Sequence, residues 1–462
     1  MERMETVRAI VFGIIALLCF YKSIYTVLGV LIKPRVFPKA PQTKRYGIIV
    51  AARNEEKVIG HLVDSLLRQT YPGELYRVFV VADNCTDRTA EIAQERGATV
   101  YVRHCPEKAR KGWALEYLFD CIERDYGIKS FDGYLFFDAD NVVSADYLEQ
   151  MNNAFATGAD GVIGYRNTKN FDRNAISAHY GIHFMRSTVT LHRARSGLGM
   201  STHIAGTGYL LSSELLKDGW HYSCLTEDTQ ATMDFVVKGK RIEYCEAAEF
   251  YDEQPYQIKV MVRQRIRWAK GRLACFFGYG YKLLGGMVKQ RHCGSDTYEY
   301  KAEKPTGVIP RISHFFTRLC SGIAKRLKGH GKRFSCYDMF FYLFPNSFFN
   351  KMTSIAFQIS AVVIGVRLGE WVGAGADKWV LTALKILIGT LAGYVGSILL
   401  GLLVVIRERR HIRCSNARLA LYLLSFPLFD ILYAYLCLVS LFMRVKWKPI
   451  KHDEAISIDE LQ

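Results

Sequence analysis

Short apolar runs alternate with segments of helical spacing between residues 46 and 137, and this alternation most constrains the fold. Apolar runs of four to eight residues are typical of buried strands, and apolar positions three and four apart are typical of helices. Strands that alternate with helices indicate an α/β domain with a mostly parallel sheet covered on both faces. The predicted strands are 46–52, 77–82, 99–102 and 133–137, and the predicted helices are 55–69, 86–96 and 112–124.

Polar side chains follow three of these four strands, at the point where each strand ends. Arg53 and Glu55 follow the first strand, Asp83 ends the second, and Asp138 and Asp140 follow the fourth. Ligands of open α/β sheets bind beyond the carboxyl ends of the strands. The sequence therefore predicts a binding site at this edge of the sheet.

The acidic residues at this edge suit a metal-bound nucleotide. Asp138 and Asp140 form a D-x-D motif, and carboxylates bind hard divalent cations such as Mg²⁺ or Mn²⁺ that also bridge phosphates. Such a cation neutralises a diphosphate as it leaves. Asp83 is a candidate hydrogen-bond acceptor for a base or ribose. The alternative for all three residues is a local turn or helix cap, and for Asn84 an Asx turn.

Lys111 is a candidate phosphate ligand. It opens a predicted helix, where a positive side chain opposes the helix dipole and a bound anion would relieve the repulsion. The alternative is a lysine that simply extends into solvent.

Thr226-Glu227-Asp228 supplies the candidate catalytic carboxylates. A carboxylate can take the proton of an acceptor hydroxyl as that hydroxyl attacks. A threonine followed by acidic residues is also typical of the start of a helix, which is the structural alternative.

Gln264, Arg267 and Trp268 form a candidate acceptor and diphosphate site. Their spacing places them on one face of a helix. Arginine offers a fork of donors to phosphate, and tryptophan offers a flat apolar surface to a sugar ring. The alternative is an amphipathic helix in the membrane interface, which explains the arginine and the tryptophan but not the glutamine.

The charge of the chain points to a membrane surface. The formal net charge is +17, and the basic residues cluster beside apolar runs, as in 407–413 and 325–333. This distribution favours anionic lipid and phosphorylated substrates over nucleic acid.

The apolar runs divide the chain into four predicted parts. Residues 1–40 form a membrane anchor with the apolar run 9–32, and 41–255 form the catalytic domain. Residues 256–345 form interfacial helices and a loop, and 346–462 form transmembrane helices and a tail. The predicted spans are 346–366, 380–406 and 418–443. The basic loop 407–417 favours the cytoplasm, as does the basic tail, and these preferences conflict if all three runs cross.

Five motifs in order resemble the family 2 glycosyltransferases, and in particular the processive synthases of cellulose, chitin, hyaluronan, mixed-linkage glucan and poly-N-acetylglucosamine. The motifs are VAARNEE at 50–56, VADN at 81–84, DAD at 138–140, TED at 226–228 and QRIRW at 264–268. The resemblance implies a GT-A domain between an N-terminal transmembrane helix and C-terminal interfacial and transmembrane helices.

The resemblance also implies roles for individual residues. It places Asp228, with Glu227, at the catalytic base and a loop near the acceptor at 206–208. The implied ligands of the UDP-sugar are Arg53, Glu55, Asp83, Lys111, Asp138 and Asp140, with the metal on Asp138 and Asp140. The implied ligands of the acceptor end and the diphosphate are Gly206, Thr207, Gly208, Gln264, Arg267 and Trp268.

The expected function is an inverting, processive synthase in the cell membrane, with several spans and a cytoplasmic catalytic domain. It would polymerise a β-linked polysaccharide from UDP-glucose or UDP-N-acetylglucosamine with Mg²⁺ or Mn²⁺, and secrete it across the bilayer. Its partners would be the donor, the growing polysaccharide and lipid, without nucleic acid. One alternative is a non-processive transferase that adds one sugar to a lipid-linked acceptor. Another is a non-catalytic membrane scaffold.

Overall fold

The computed structural model describes residues 2–288, 308–327, 331–344, 377–445, 449–450 and 452–461, so the predicted span 346–366 lies outside the described residues. Its centre is an eight-stranded sheet with the order β3-β2-β1-β4-β7-β6-β8-β5. The strands are β1 (Tyr46–Ala52), β2 (Tyr76–Asp83), β3 (Thr99–Arg103), β4 (Gly133–Asp138), β5 (Val142–Val143), β6 (Gly161–Thr168), β7 (Tyr209–Ser212) and β8 (Ile242–Asp252).

The half of the sheet formed by β1 to β4 is parallel, as the sequence predicts. Strand β1 pairs in parallel with β2 and β4, and β2 pairs in parallel with β3. These strands lie between two layers of helices, and their near-continuous apolar runs fill a hydrophobic core on each face.

The other half of the sheet is mixed, so the prediction of a mostly parallel sheet holds only for the first half. Strand β7 runs antiparallel between β4 and β6, and β5 runs antiparallel to β8. Strands β6 and β8 are parallel to each other. The reversed β7 brings the segment before it, with Gly206 and Thr207, to the carboxyl end of β4, where Thr207 Oγ1 accepts from the Asp138 amide at 2.9 Å.

The described helices cover the sheet and continue beyond it. Long helix α10 confirms the helix predicted over 256–285 and carries the QRIRW motif. The helices are α1 (Glu2–Cys19), α2 (Tyr21–Leu31), α3 (Ile59–Leu67), α4 (Thr89–Glu95), α5 (Lys111–Asp125), α6 (Tyr147–Phe155), α7 (Ala175–Ser187), α8 (Arg193–Gly197), α9 (Glu227–Val237), α10 (Ile258–Val288), α11 (Val308–Leu327), α12 (Gly331–Leu343), α13 (Asp377–Arg407), α14 (Asn416–Phe442) and α15 (Ile458–Leu461).

Among the described residues, α14 is the one helix whose length and composition would allow it to cross a bilayer. The predicted anchor 9–32 is assigned as two helices, α1 and α2, which meet at Phe20, a residue with helical φ and ψ of −57° and −32°. Exposed apolar side chains remain along α1 and α13, for example Ile14 and Leu399.

The C-terminal tail packs against the α/β domain. Ile458 and Leu461 form a small cluster with Val142 next to the sheet, and Lys57 pairs with Asp453 at 2.7 Å. The tail therefore lies on the same side of any membrane as the α/β domain. The charges of the loop 407–417 and of the tail had left the side of the tail open.

Candidate active site

The predicted site residues meet in one cavity of about 450 Å³ at the carboxyl ends of β1, β2 and β4. The exception is Gly208, which lies outside the cavity. The predicted residues that line it are Arg53, Glu55, Asp83, Lys111, Asp138, Asp140, Gly206, Thr207, Glu227, Asp228, Gln264, Arg267 and Trp268.

Gly208 has a structural role. Its φ of +65° lies in the left-handed region, and a Cβ there would lie 2.0 Å from Cε1 of Phe250. The glycine thus allows the chain to approach the core at the start of β7. Its position outside the cavity differs from the prediction that Gly208 binds the acceptor end.

Asp83 lies at the end of β2 and is nearly buried. Its Oδ1 accepts hydrogen bonds from Nη1 of Arg103 at 2.5 Å and from Nδ2 of Asn84 at 2.8 Å. Asn84 adopts a φ of 53°, and its Oδ1 accepts from the backbone amide of Cys105 at 2.7 Å. Asn84 therefore shapes the turn, and Asp83 is the member of the pair that lines the cavity.

Lys111, the first residue of α5, links the donor side of the cavity to the 206–208 loop. Its Nζ pairs with the Asp138 carboxylate and donates to the carbonyl oxygen of Gly206 at 2.9 Å. Burial opposes the charge, but the carboxylates of Asp138 and Glu227 hold the pKa of Lys111 above its usual value. A partly buried ammonium ion therefore lies between the two groups of acidic residues, where a phosphate would be stabilised.

A second acidic group surrounds Asp140. Asp252, at the end of β8, accepts from Nε of Arg166 at 2.6 Å, and Oδ2 of Asp140 accepts from the Glu253 amide at 3.1 Å. Burial, together with the nearby charges of Asp140 and Asp138, raises the pKa of Asp252 to about 7. The electrostatics of this edge therefore favour an added cation.

The residues present fit a divalent metal bound jointly with a diphosphate. Within the described ranges, no three His, Cys, Asp or Glu side chains form a complete metal cluster. Asp138 and Asp140 offer carboxylate oxygens, and the side chain of Asp138 is 38% exposed, so it is open to a ligand. Two carboxylates with phosphate oxygens are the ligand set that Mg²⁺ commonly accepts.

The tail contributes His452 to the site. Its Nδ1 lies 3.0 Å from Oε1 of Glu55, and its Nε2 lies 4.0 Å from Oδ2 of Asp140. Burial opposes protonation, but Asp140 and Glu55 raise the pKa of His452 to about 10. The protonated ring therefore balances the carboxylates of this edge at neutral pH.

Glu227 and Asp228 open α9. Oδ1 of Asp228 accepts from the amide of Thr229 at 2.7 Å, and Oδ2 faces Gly206, 3.8 Å from the position of a Cβ there. Burial raises the pKa of Asp228, and burial with the charge of Asp228 raises the pKa of Glu227 to about 7. A buried carboxylate with a raised pKa is a stronger base than one in water.

Helix α10 holds its motif against this pair. A Cβ on Gly271 would lie 2.5 Å from Oγ1 of Thr226, so the glycine permits close contact between α10 and the start of α9. Nη1 of Arg267 donates to the carbonyl oxygen of Leu225 at 2.8 Å. Oε1 of Gln264 is buried and has no hydrogen-bond partner in the described part of the chain. Gln264 is therefore an open acceptor for a donor group of a ligand.

Arg265 and Trp268 connect α10 to the neighbouring helices. Nη1 of Arg265 donates to the carbonyl oxygen of Phe429 in α14 at 2.7 Å. Trp268 makes edge contacts with Tyr180 and Phe184 of α7, with ring centroids 5.9 and 6.4 Å apart. The helix thus packs on α7 and α14, and Trp268 takes part in this packing as well as lining the cavity.

Sequence reasoning missed several residues of the site. Asp252 ends β8 and Glu253 follows it, but Glu243, Glu246 and Glu249 interrupt the strand, so it lacks the apolar run that identified the other strand ends. His452 follows the last apolar run and has no local signal. His183 and His203 also line the cavity, and only the packing of distant helices brings them there.

A sheet edge with carboxylates, partly buried cations that suit phosphate and a separate, partly buried pair of carboxylates is typical of an enzyme that transfers a group from a diphosphate-activated donor. The chain belongs to glycosyltransferase family 2. Residues 41–271 match the family model described as "Glycosyltransferase like family 2".

Curated relatives match part of the chain. The probable glycosyltransferase YdaM of Bacillus subtilis is 25% identical over 235 residues, which are 49% of this chain and 55% of that protein. The beta-monoglucosyldiacylglycerol synthase of Nostoc sp. is 26% identical over 292 residues, which are 59% of this chain and 60% of that protein. The chain thus spans less than two thirds of the length of these relatives.

Among solved structures, the mannosyltransferase PcManGT from Pyrobaculum calidifontis in complex with GDP-Man and Mn²⁺ is similar to this chain with 16% identity and a TM-score of 0.48. The similarity covers 87% of this chain and 98% of that one.

Proposed function

We propose that this enzyme is an inverting membrane glycosyltransferase that extends a β-linked polysaccharide from a UDP-sugar. The observation that carries the proposal is the meeting of three groups in one cavity. The acidic strand ends would hold the donor, Asp228 would activate the acceptor, and the face of α10 would hold the acceptor end.

The residues of the chain suggest a direct displacement. Asp228 takes the proton of the acceptor hydroxyl while that oxygen attacks the anomeric carbon on the face opposite the diphosphate. The bond from the anomeric carbon to the phosphate oxygen breaks, and its electrons leave with the nucleoside diphosphate. Lys111 and Arg267 stabilise the developing negative charge, and one displacement inverts the configuration.

A divalent cation would be held by Asp138 and Asp140. When bound, Mg²⁺ or Mn²⁺ supplies positive charge to the leaving diphosphate. Asp83 would accept a hydrogen bond from the nucleobase, while Arg53 and Glu55 would contact the rest of the nucleotide. The GT-A architecture expected from the motifs belongs to this proposal, as do the domain limits 41–255 and a cytoplasmic location for the catalytic domain.

The two candidate functions differ in the chemical class of the acceptor, which is either a saccharide or a lipid. The unpartnered Oε1 of Gln264 and the ring of Trp268 support a saccharide end, which offers both hydroxyl donors and an apolar ring face. The name of the Nostoc relative favours a second candidate, transfer of one sugar to diacylglycerol. That function fits the exposed apolar helices equally well.

Product sizing tests the proposal. The purified protein is incubated with radiolabelled UDP-glucose or UDP-N-acetylglucosamine, Mg²⁺ or Mn²⁺, and either an oligosaccharide or diacylglycerol in mixed micelles. We expect a polymer that linkage-specific hydrolases digest. A product of one sugar on lipid would replace the polymer function by the second candidate, and no transfer to any acceptor would refute both.

A further inference from the structure

Of the four described histidines that line the cavity, His183 and His203 are held by arginines and are not used by the transfer mechanism. His183 lies in α7, and His203 lies in the segment that precedes Gly206. Each is contacted by an arginine that is itself paired with an aspartate from a distant helix. The arrangement therefore occurs twice, on two different sets of elements.

Arg195 fixes the protonation of His203. Nη1 of Arg195 donates to Nδ1 of His203 at 2.7 Å, and Arg195 is held by Asp338 of α12 through bonds of 2.6 and 2.9 Å. A guanidinium group has no acceptor, so Nδ1 is unprotonated. Burial, with the neighbouring charge on His192 and Arg195, lowers the pKa of His203 well below its usual value. The neutral ring therefore carries its proton on Nε2.

His183 is fixed in the same way. Nη2 of Arg186 donates to Nδ1 of His183 at 3.3 Å and to Oδ1 of Asp430 in α14 at 2.9 Å. Burial, followed by the charge of Arg186, lowers the pKa of His183 well below its usual value. Both imidazoles are thus neutral donors whose Nε2–H is determined by the fold.

We propose that His183 and His203 form an acceptor subsite that donates hydrogen bonds to hydroxyl oxygens of an uncharged saccharide chain. This inference rests on the proposed function and names its acceptor class. Two neutral donors of fixed tautomer suit hydroxyl oxygens, which accept such hydrogen bonds. An acyl chain would leave both donors buried without a partner, which is unfavourable.

The test compares His203→Phe with His203→Gln in the full-length protein. Phenylalanine keeps the ring and removes the donor, whereas glutamine keeps an N–H donor at the Nε2 position. With a β-linked glucose or N-acetylglucosamine oligosaccharide as acceptor, we expect His203→Phe to raise the acceptor KM about tenfold, the effect of one lost hydrogen bond. His203→Gln raises it less than threefold, and the KM for the UDP-sugar stays within twofold in both variants.

Two further variants separate binding from folding. His183→Phe removes the second imidazole, at a half-buried position, and we expect it to raise the acceptor KM in the same way. His61→Phe, on α3 outside the cavity, is the matched control and leaves the acceptor KM unchanged. Thermal melting identifies any variant that fails to fold.

The outcomes distinguish a failure of the proposed subsite from a failure of the proposed polymer-forming function. Equal acceptor KM values in wild type, His183→Phe and His203→Phe would overturn the subsite and leave the polymer function intact. Transfer by the wild type to diacylglycerol but to no oligosaccharide would overturn both. A rise in acceptor KM that glutamine reverses at position 203 supports the subsite, since a packing defect would not depend on the N–H group.

Discussion

The two carboxylates at the start of α9 differ in their surroundings, and the difference separates their roles. Asp228 has one oxygen held by the Thr229 amide and the other directed towards the Gly206 loop. Glu227 has a pKa of about 7, since burial and the charge of Asp228 both oppose its ionisation. In the proposed mechanism, Asp228 is therefore the oriented base, and Glu227 tunes the charge beside it.

The base is tested by Asp228→Asn. An amide cannot take the acceptor proton, so we expect kcat to fall by a factor of about 10² to 10⁴. The dissociation constant of the UDP-sugar, measured by titration calorimetry, changes little. Asp234→Asn is the control on the same helix, because Asp234 binds the Tyr222 hydroxyl at 2.7 Å instead of lining the cavity. More than a tenth of the wild-type rate in Asp228→Asn would exclude Asp228 as the base.

Glu227 links stability to pH. Its pKa rises from 4.5 in the unfolded chain to about 7 in the fold, so between these values the folded state holds a proton that the unfolded state lacks. Stability due to Glu227 is therefore complete below pH 4.5 and falls as the pH rises to 7. Glutamine does not ionise, so Glu227→Gln avoids this loss of stability at high pH. We therefore expect the variant to melt at a higher temperature than wild type near pH 8.

The same comparison near pH 5 supplies the control. There wild-type Glu227 is mostly protonated in the folded state, so the two melting temperatures should converge. A difference that is independent of pH would mean that the substitution acts through packing.

At the scale of elements, the close approach of α10 to α9 places the proposed acceptor-binding face of α10 next to Asp228, the proposed base. Gly271→Ala would place a methyl group 2.5 Å from Oγ1 and Cγ2 of Thr226. The two helices must then separate, which moves Arg267 away from Glu227 and Asp228. We expect kcat/KM to fall at least tenfold, a loss measured with the oligosaccharide acceptor assay.

Gly278→Ala is the matched control for this contact. Gly278 lies on α10 as well, but a Cβ there meets no atom within 4 Å. Both changes raise helix propensity by about 1 kcal/mol, so Gly278→Ala should stabilise the protein slightly and keep full activity. Similar activity in the two variants would show that the contact at Gly271 does not position the site.

The sequence predicts the elements whose pattern is local. Strand β1 has the predicted limits, and β2 to β4 differ from the prediction by at most one residue at either end. Strands β6 and β8 escape prediction because polar residues such as Arg166 interrupt them and a register shift follows Gly164. The antiparallel pairing of β7 depends on the chain reversing after α8, which no periodicity encodes.

The residues of the site, like the elements, are predictable only where their pattern is local. Residues that share a short motif or a strand end, such as Asp138 and Asp140, are predictable because the sheet brings strand ends together. His452 and His203 are not, since they reach the cavity through the docking of the tail and of α12. Long-range packing leaves no spacing pattern in the sequence.

At the scale of the molecule, α14 is long enough to cross a bilayer, yet both of its ends contact the catalytic part of the chain. Arg418, near its start, pairs with Asp172 at 2.7 Å, and the carbonyl oxygen of Leu441, near its end, accepts from Lys270 of α10 at 3.3 Å. Its outer face is an exposed apolar stripe at spacings of three and four residues. The stripe consists of Leu421, Leu424, Leu428, Ile431 and Tyr435.

These contacts predict that α14 lies along the membrane surface with its stripe in the lipid and both ends on the catalytic side. A cysteine at the exposed Arg444, just past the helix, tests this in sealed vesicles with a membrane-impermeant maleimide. We expect Arg444→Cys to be labelled from the same side as Glu74→Cys, an exposed position of the catalytic domain, each compared with the unsubstituted chain. Labelling of the two positions from opposite sides would show that α14 crosses the bilayer, and the contacts of Leu441 and Arg418 could then not coexist in the membrane-bound enzyme.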